Sequence, residues 1–121
     1  MSFASKRNVT DYWGIDTVDF QYHSCKEMYE KNGKDFIYPC IGLFINSKNN
    51  SDFGPSNVII TKDSDGGFFL NAPANWYSMF RDILESEEDV QDIREGKVGF
   101  TIRQFKAHGK LCHAPYWVDM V

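Results

Sequence analysis

Hydrophobic and polar positions change period along the chain, and the changes mark out its elements. Thr17 to Tyr22 alternates, with Val18, Phe20 and Tyr22 on one face, which predicts a strand. Residues 23–30 fit a strand or a short helix, because Met28 and Tyr29 suit either. Asn32-Gly33 reads as a hairpin turn, since both residues accept positive φ. Phe36 to Asn46 is the most apolar run and predicts a strand, with Pro39 at an edge, an end or a bulge. Lys48 to Asn57 is a loop, dense in Asn, Ser, Gly and Pro. Asn57 to Thr61 and Phe68 to Asn71 are two short strands about a turn at Asp63-Ser64-Asp65-Gly66-Gly67.

The period then becomes helical. Trp76, Met79, Phe80, Ile83 and Leu84 lie at i, i+3, i+4, i+7 and i+8, one face of a helix with Asn75 placed to cap it. Ser86, followed by Glu87, Glu88 and Asp89, marks a second helix start, because acids there offset the dipole. Gly96 ends that run. Val98 to Phe105 and Leu111 to Val118 are strands about His108-Gly109. The expected fold is α+β: a small, mostly antiparallel twisted sheet with one or two helices, at about residues 75–95, packed on one face. Residues 1–14 read as a polar arm and 15–121 as a single domain.

Composition narrows the class. A chain of 121 residues with 42% apolar and 25% charged residues has the mix of a globular domain. Its nineteen aromatic rings are more than a domain of this size readily hides, which suggests a homodimer formed through residues 98–118. No apolar stretch reaches the roughly 18 residues of a membrane span. Lys6 and Arg7 precede no apolar run, so the start does not read as a signal peptide, and a cytoplasmic location is expected. Three cysteines (Cys25, Cys40 and Cys112) without a leader suggest reduced thiols. Asn8-Val9-Thr10 and Asn49-Asn50-Ser51 match a glycosylation sequon that has no meaning in that compartment.

The net charge of −4 is unevenly spread. Asp82 to Glu95 holds seven acidic residues and one Arg, whereas Lys97 to Val121 holds four basic residues and one Asp. An acidic block therefore sits beside a basic one, either as two solvated faces or as interaction surfaces.

Candidate chemistry is sparse. His23, Cys25, Cys112 and His113 are metal-ligand types, but 112 and 113 face opposite sides of a strand, so no metal or other cofactor is expected. No signature flanks Cys112 or Cys25 as a nucleophile, no glycine-rich loop precedes a helix, and an acidic run at a helix start is a solvated face more often than an acid/base pair. A non-enzymatic binding protein is the expectation.

Two binding surfaces remain. Arg103, Phe105, Lys106, Lys110 and Trp117 interleave cations with rings in the C-terminal hairpin, as binders of single-stranded nucleic acid do: charges track phosphate and bases stack on rings. The same pattern suits a sheet whose rings face a core and whose cations keep it soluble. Alternatively Glu85, Glu87, Glu88, Asp89, Asp92 and Glu95, with Asp82, present regularly spaced charge to a basic cleft on a host protein, as a small phage-type inhibitor or adaptor does.

Asp65-Gly66-Gly67-Phe68-Phe69-Leu70-Asn71-Ala72-Pro73, followed by Phe80-Arg81-Asp82-Ile83, resembles the SpoVG family of small bacterial nucleic-acid-binding regulators. The resemblance spans some 30 residues. It departs from the family where Ala74-Asn75 replace a basic pair after the Pro, and where Phe80 to Ile83 reads as helix. Phe68 to Asn71 running into Trp76 and its helix is similar to the whirly-type single-strand binders. Both resemblances imply a small sheet-plus-helix protein that dimerises and applies one sheet face to nucleic acid.

Overall fold

A computed structural model describes residues 12–46 and 56–120. The class is α+β, as the pattern predicts, but the strands form two sheets rather than one. The first sheet has the order β1-β5-β4-β3, from Tyr22–His23 (β1), Gly66–Ala72 (β5), Ser56–Asp63 (β4) and Gly42–Asn46 (β3). The second has the order β2-β6-β7, from Tyr38–Pro39 (β2), Val98–Ala107 (β6) and Lys110–Asp119 (β7). Every pairing is antiparallel except β1 with β5.

The split falls inside the apolar run from Phe36 to Asn46. Cys40 N–H donates to Val98 O in the second sheet at 2.9 Å, and the next residue, Ile41, donates to Ile60 O in the first at 2.9 Å. Pro39, on the edge of the second sheet opposite Gly99, has no N–H to continue that ladder. The run is thus two strands in two sheets. Tyr38 fills the space between them: its ring stacks on Phe100 with centroids 5.1 Å apart and meets Phe68 edge-on at 6.3 Å.

The ambiguous stretch is helix α1 (Cys25–Asn32), and a capping box explains it. Ser24 Oγ accepts from Glu27 N–H, and the Glu27 carboxylate accepts from Ser24 N–H, an arrangement worth about 1 kcal/mol. Asn32-Gly33 is accordingly not a hairpin turn. Gly33, with φ of 87°, closes the helix by donating to Tyr29 O. The helix buries Cys25 and Met28 and lies against both sheets.

The strand expected from Thr17 shrinks to β1. Phe20 N–H turns back to Thr17 O, which leaves Val18 exposed. The segment ahead of β1 covers the outer face of the first sheet. Trp13 is buried there with its indole N–H on Leu43 O at 2.9 Å. Gly42 makes room for it, since a Cβ there would stand 2.7 Å from the Trp13 ring. Tyr12 and Trp13 of the expected arm are thus docked. Residues 1–11 and 47–55, with both sequons and most of the predicted loop, lie outside the described residues.

Helix α2 (Tyr77–Glu85) follows a 3-10 turn at Ala74–Trp76. Asn75 sits inside that turn and makes no cap. The carbonyls of Pro73 and Ala74 accept instead from the buried Asn57 amide at 2.9 and 3.4 Å. Helix α2 packs Phe80 against β3 and β4 and reaches Trp117 of β7 through Met79, bridging the sheets. Helix α3 (Glu87–Arg94) begins at Ser86, whose Oγ accepts from Asp89 N–H, and it ends before Gly96 at φ 76°.

Candidate nucleic-acid interface

The β6–β7 hairpin turns on two residues, His108 and Gly109, with φ of 53° and 76°. Two consecutive positive φ values make a type I′ turn, whose twist matches that of the strands. Ala107 therefore pairs with Lys110, and the register runs from there without a bulge to Val98 and Asp119. Residues directly opposite one another share a face, so this register sorts the hairpin into two surfaces.

The outer surface carries Thr101, Arg103 and Phe105 from β6, with Tyr116, Ala114, Cys112 and Lys110 from β7. Phe105 and Tyr116 are 46% and 47% exposed. The Arg103 guanidinium lies over the Tyr116 ring, 3.3 Å from its centre, in a cation–π contact. Arg103, Phe105 and Lys110 thus come together as the sequence predicts.

Lys106 and Trp117 do not join them. Lys106 pairs with Leu111 and Trp117 with Phe100, both on the opposite surface. The Trp117 ring packs edge-on to Phe100 and 5.7 Å from Trp76, so it belongs to the core rather than to a stacking platform. Tyr116 takes the place given to Trp117. A signal for it is present in the sequence: a two-residue His-Gly turn sets a register in which position 116 shares the face of 103.

The opposite surface of the hairpin is covered in its middle, where His113 meets Tyr29 of α1 at 5.0 Å and Gln104 at 3.2 Å. Toward the turn it is open, and Leu111 is 55% exposed there.

The acidic stretch is compensated at its ends. Glu85 pairs with Arg81 at 3.6 Å. The Gln91 amide and then Lys97, 2.9 Å away, hold the Glu95 carboxyl below the usual carboxylate range, and Glu95 in turn holds Lys97 above its own. Among the described residues Glu87, Glu88, Asp89 and Asp92 have no ion-pair partner. Glu87, Glu88 and Asp89 occupy the first turn of α3, where the helix dipole favours negative charge. Asp89 and Asp92 border a recess of about 140 Å³ lined by Ile83, Ile93, Val98 and Trp117.

The groups weighed for metal or thiol chemistry lie apart. Ser24 is a helix cap, so His23 and Cys25 lie on either side of a helix start rather than along one strand face. The His23 ring meets Glu27 at 2.8 Å, while the Cys25 thiol points to Asn71 O. Burial pushes the Cys25 thiol up to about 12. Burial does the same to Cys40, against a smaller opposing effect of the Gly42 backbone, and leaves it at about 12. Cys112 and His113 face opposite surfaces of β7. Among the described residues no three His, Cys, Asp or Glu side chains gather as a metal site, and no helix is long and apolar enough to cross a membrane.

Compared with known proteins, the chain matches no family model, no curated protein and no solved structure.

Proposed function

We propose that this is a non-enzymatic binding protein that engages single-stranded nucleic acid on the outer surface of the β6–β7 hairpin. The observation that carries this reading is the register, which places Arg103, Phe105, Tyr116 and Lys110 on one surface with two half-exposed rings. Arg103 and Lys110 neutralise phosphate, and Phe105 offers a ring face on which a base stacks. Arg103, lying over the Tyr116 ring, offers a guanidinium plane to a base as well. A platform of two rings and two cations is a sequence-tolerant binder of a few nucleotides. The likeness of residues 65–83 to the SpoVG family supports the same class.

The test is fluorescence anisotropy of a labelled single-stranded oligonucleotide at low and moderate salt. Binding should weaken with salt by a slope of about 0.7 per phosphate neutralised. An Arg103→Glu/Lys110→Glu variant should lose binding, and a Glu87→Gln/Glu88→Gln/Asp89→Asn variant should keep it. Absence of binding at low salt would end this reading.

The second reading is a protein-binding inhibitor or adaptor acting through the acidic face. It is favoured by one observation, the run of carboxylates on α3 that make no ion pair among the described residues and lie beside the recess. The two variants above separate the readings, because a basic protein partner would be lost with the acidic residues and kept with the basic ones.

A further inference from the structure

We infer that the recess beside α3 receives the β6–β7 hairpin tip of a second copy of this chain, joining copies head to tail. The two surfaces are complementary in shape and charge. The recess has an apolar lining from Ile83, Ile93, Val98 and Trp117, bordered by Asp89 and Asp92, in a volume of about 140 Å³ that suits one aliphatic side chain. The tip presents such a side chain, Leu111, 55% exposed, with Lys106 opposite it across the ladder on the same surface. One apolar knob beside an ammonium group thus faces one apolar hole bordered by two carboxylates.

Burying Leu111 and the recess lining supplies affinity, and the paired charges set orientation and speed encounter. Asp89 and Asp92 make no ion pair among the described residues, and while Asp92 lies within electrostatic reach of Lys97, Asp89 is left open to a second copy's lysine. The tip cannot enter its own recess. Trp117 stands six residues from Leu111 on β7, which at about 3.3 Å per residue puts the tip about 20 Å away, pointing outward. The occupant is therefore another molecule.

Such a contact is heterologous: each copy keeps a free tip at one end and a free recess at the other, so association runs on to rings or filaments. It replaces the two-fold strand pairing that the aromatic surplus suggests. Pro115, in the middle of the β7 edge, lacks the N–H that pairing would need.

Sedimentation velocity of the full chain over a rising concentration series, without nucleic acid, tests this independently of the proposed function. Species larger than the monomer should grow with concentration at low salt and recede at about 1 M, where the Debye length is about 3 Å. Leu111→Glu removes the knob, and Asp89→Asn/Asp92→Asn removes the charges at the hole. Each variant alone should remain monomeric, with an unchanged far-UV circular dichroism spectrum showing that it is folded. An equimolar mixture of the two should form a species that stops at the dimer, because one copy supplies only a recess and the other only a tip. Lys106→Glu provides a second break on the tip side. A monomer throughout the wild-type series, association that both variants retain, or a mixture that stays monomeric would each overturn the inference.

Discussion

The indole N–H of Trp117 donates to the Met79 sulfur at 3.2 Å, tying the middle of β7 to α2 across the junction of the two sheets. That contact, with the Phe100 and Trp76 rings around it, makes Trp117 a structural residue. Trp117→Ala should cost about 3 kcal/mol, the low end for aromatic truncation because the ring is only partly buried. Urea denaturation followed by circular dichroism measures it. A loss under about 1 kcal/mol would show that the ring contributes little to joining α2 and β7.

Tyr116, its neighbour in sequence, should behave in the opposite way. Tyr116→Leu keeps an apolar side chain on the outer surface and removes the ring beneath Arg103, so stability should shift by less than about 1 kcal/mol. Affinity for a single-stranded oligonucleotide should fall about 2- to 5-fold, because the Arg103 guanidinium loses the ring that holds it in place. Anisotropy and denaturation on the same preparation separate the two effects. Unchanged affinity would remove Tyr116 from the interface.

Acid should weaken the clip between α1 and the β4–β5 turn. Lys31 reaches Asp63 at 2.9 Å and Asp65 at 2.6 Å. Burial raises the Asp63 carboxyl, but hydrogen bonds from Lys31, Asn32 and the Asp65 N–H outweigh it and hold it below its ordinary value. A folded value below the unfolded one gives stability that is present above the ordinary Asp range and lost as pH falls through it. The denaturation midpoint should therefore drop below about pH 4, and Asp63→Asn should flatten that drop. Lys31 is held above its ordinary value by Asp65 and then by Asp63, so its part persists at neutral pH and is lost only above about 10.5. An equal acid slope in wild type and Asp63→Asn would show that other carboxyls set it.

Thiol reactivity should distinguish Cys112 from the other two. Cys25 and Cys40 are buried and, at about 12, remain protonated at pH 8, whereas Cys112 is half-exposed on the outer hairpin surface. Ellman's reagent should label one thiol rapidly, Cys112→Ser should abolish that phase, and all three should react in denaturant. Rapid labelling of two or three thiols in the native protein would contradict the burial of Cys25 or Cys40.

Local chemistry was readable where one interaction decides the outcome. The His108-Gly109 turn, the Ser86 cap and the apolar stripe from Trp76 to Leu84 each appear as the pattern predicts. Where two local patterns compete, the sequence signal divides. Asn32-Gly33 suits a hairpin turn or a helix C-terminus, and the Ser24–Glu27 box, four residues of plain capping signature, settles it as the latter. Asn75 has the chemistry of a cap, yet the chain enters α2 through a 3-10 turn held by Asn57 from another strand, a contact with no trace at position 75.

The candidate interface divides along the same line. Alternation along β6 and the length of the turn determine that Arg103 and Phe105 share a surface, because backbone geometry allows no other arrangement once the hairpin forms. Which surface is left open depends on what packs on the other, and α1 and α2, distant in sequence, cover the side that holds Trp117. The break of the Phe36–Asn46 run into two sheets is likewise tertiary: Cys40 and Ile41 donate to strands that arrive from opposite directions. The sequence by itself determined the β4–β5 and β6–β7 hairpins and the α2 and α3 helical stretch, since these are short-range and set by φ, side-chain period and caps. Only the tertiary structure decided the number of sheets, the burial of Trp117 and the exposure of Tyr116, since these depend on which distant apolar surfaces meet.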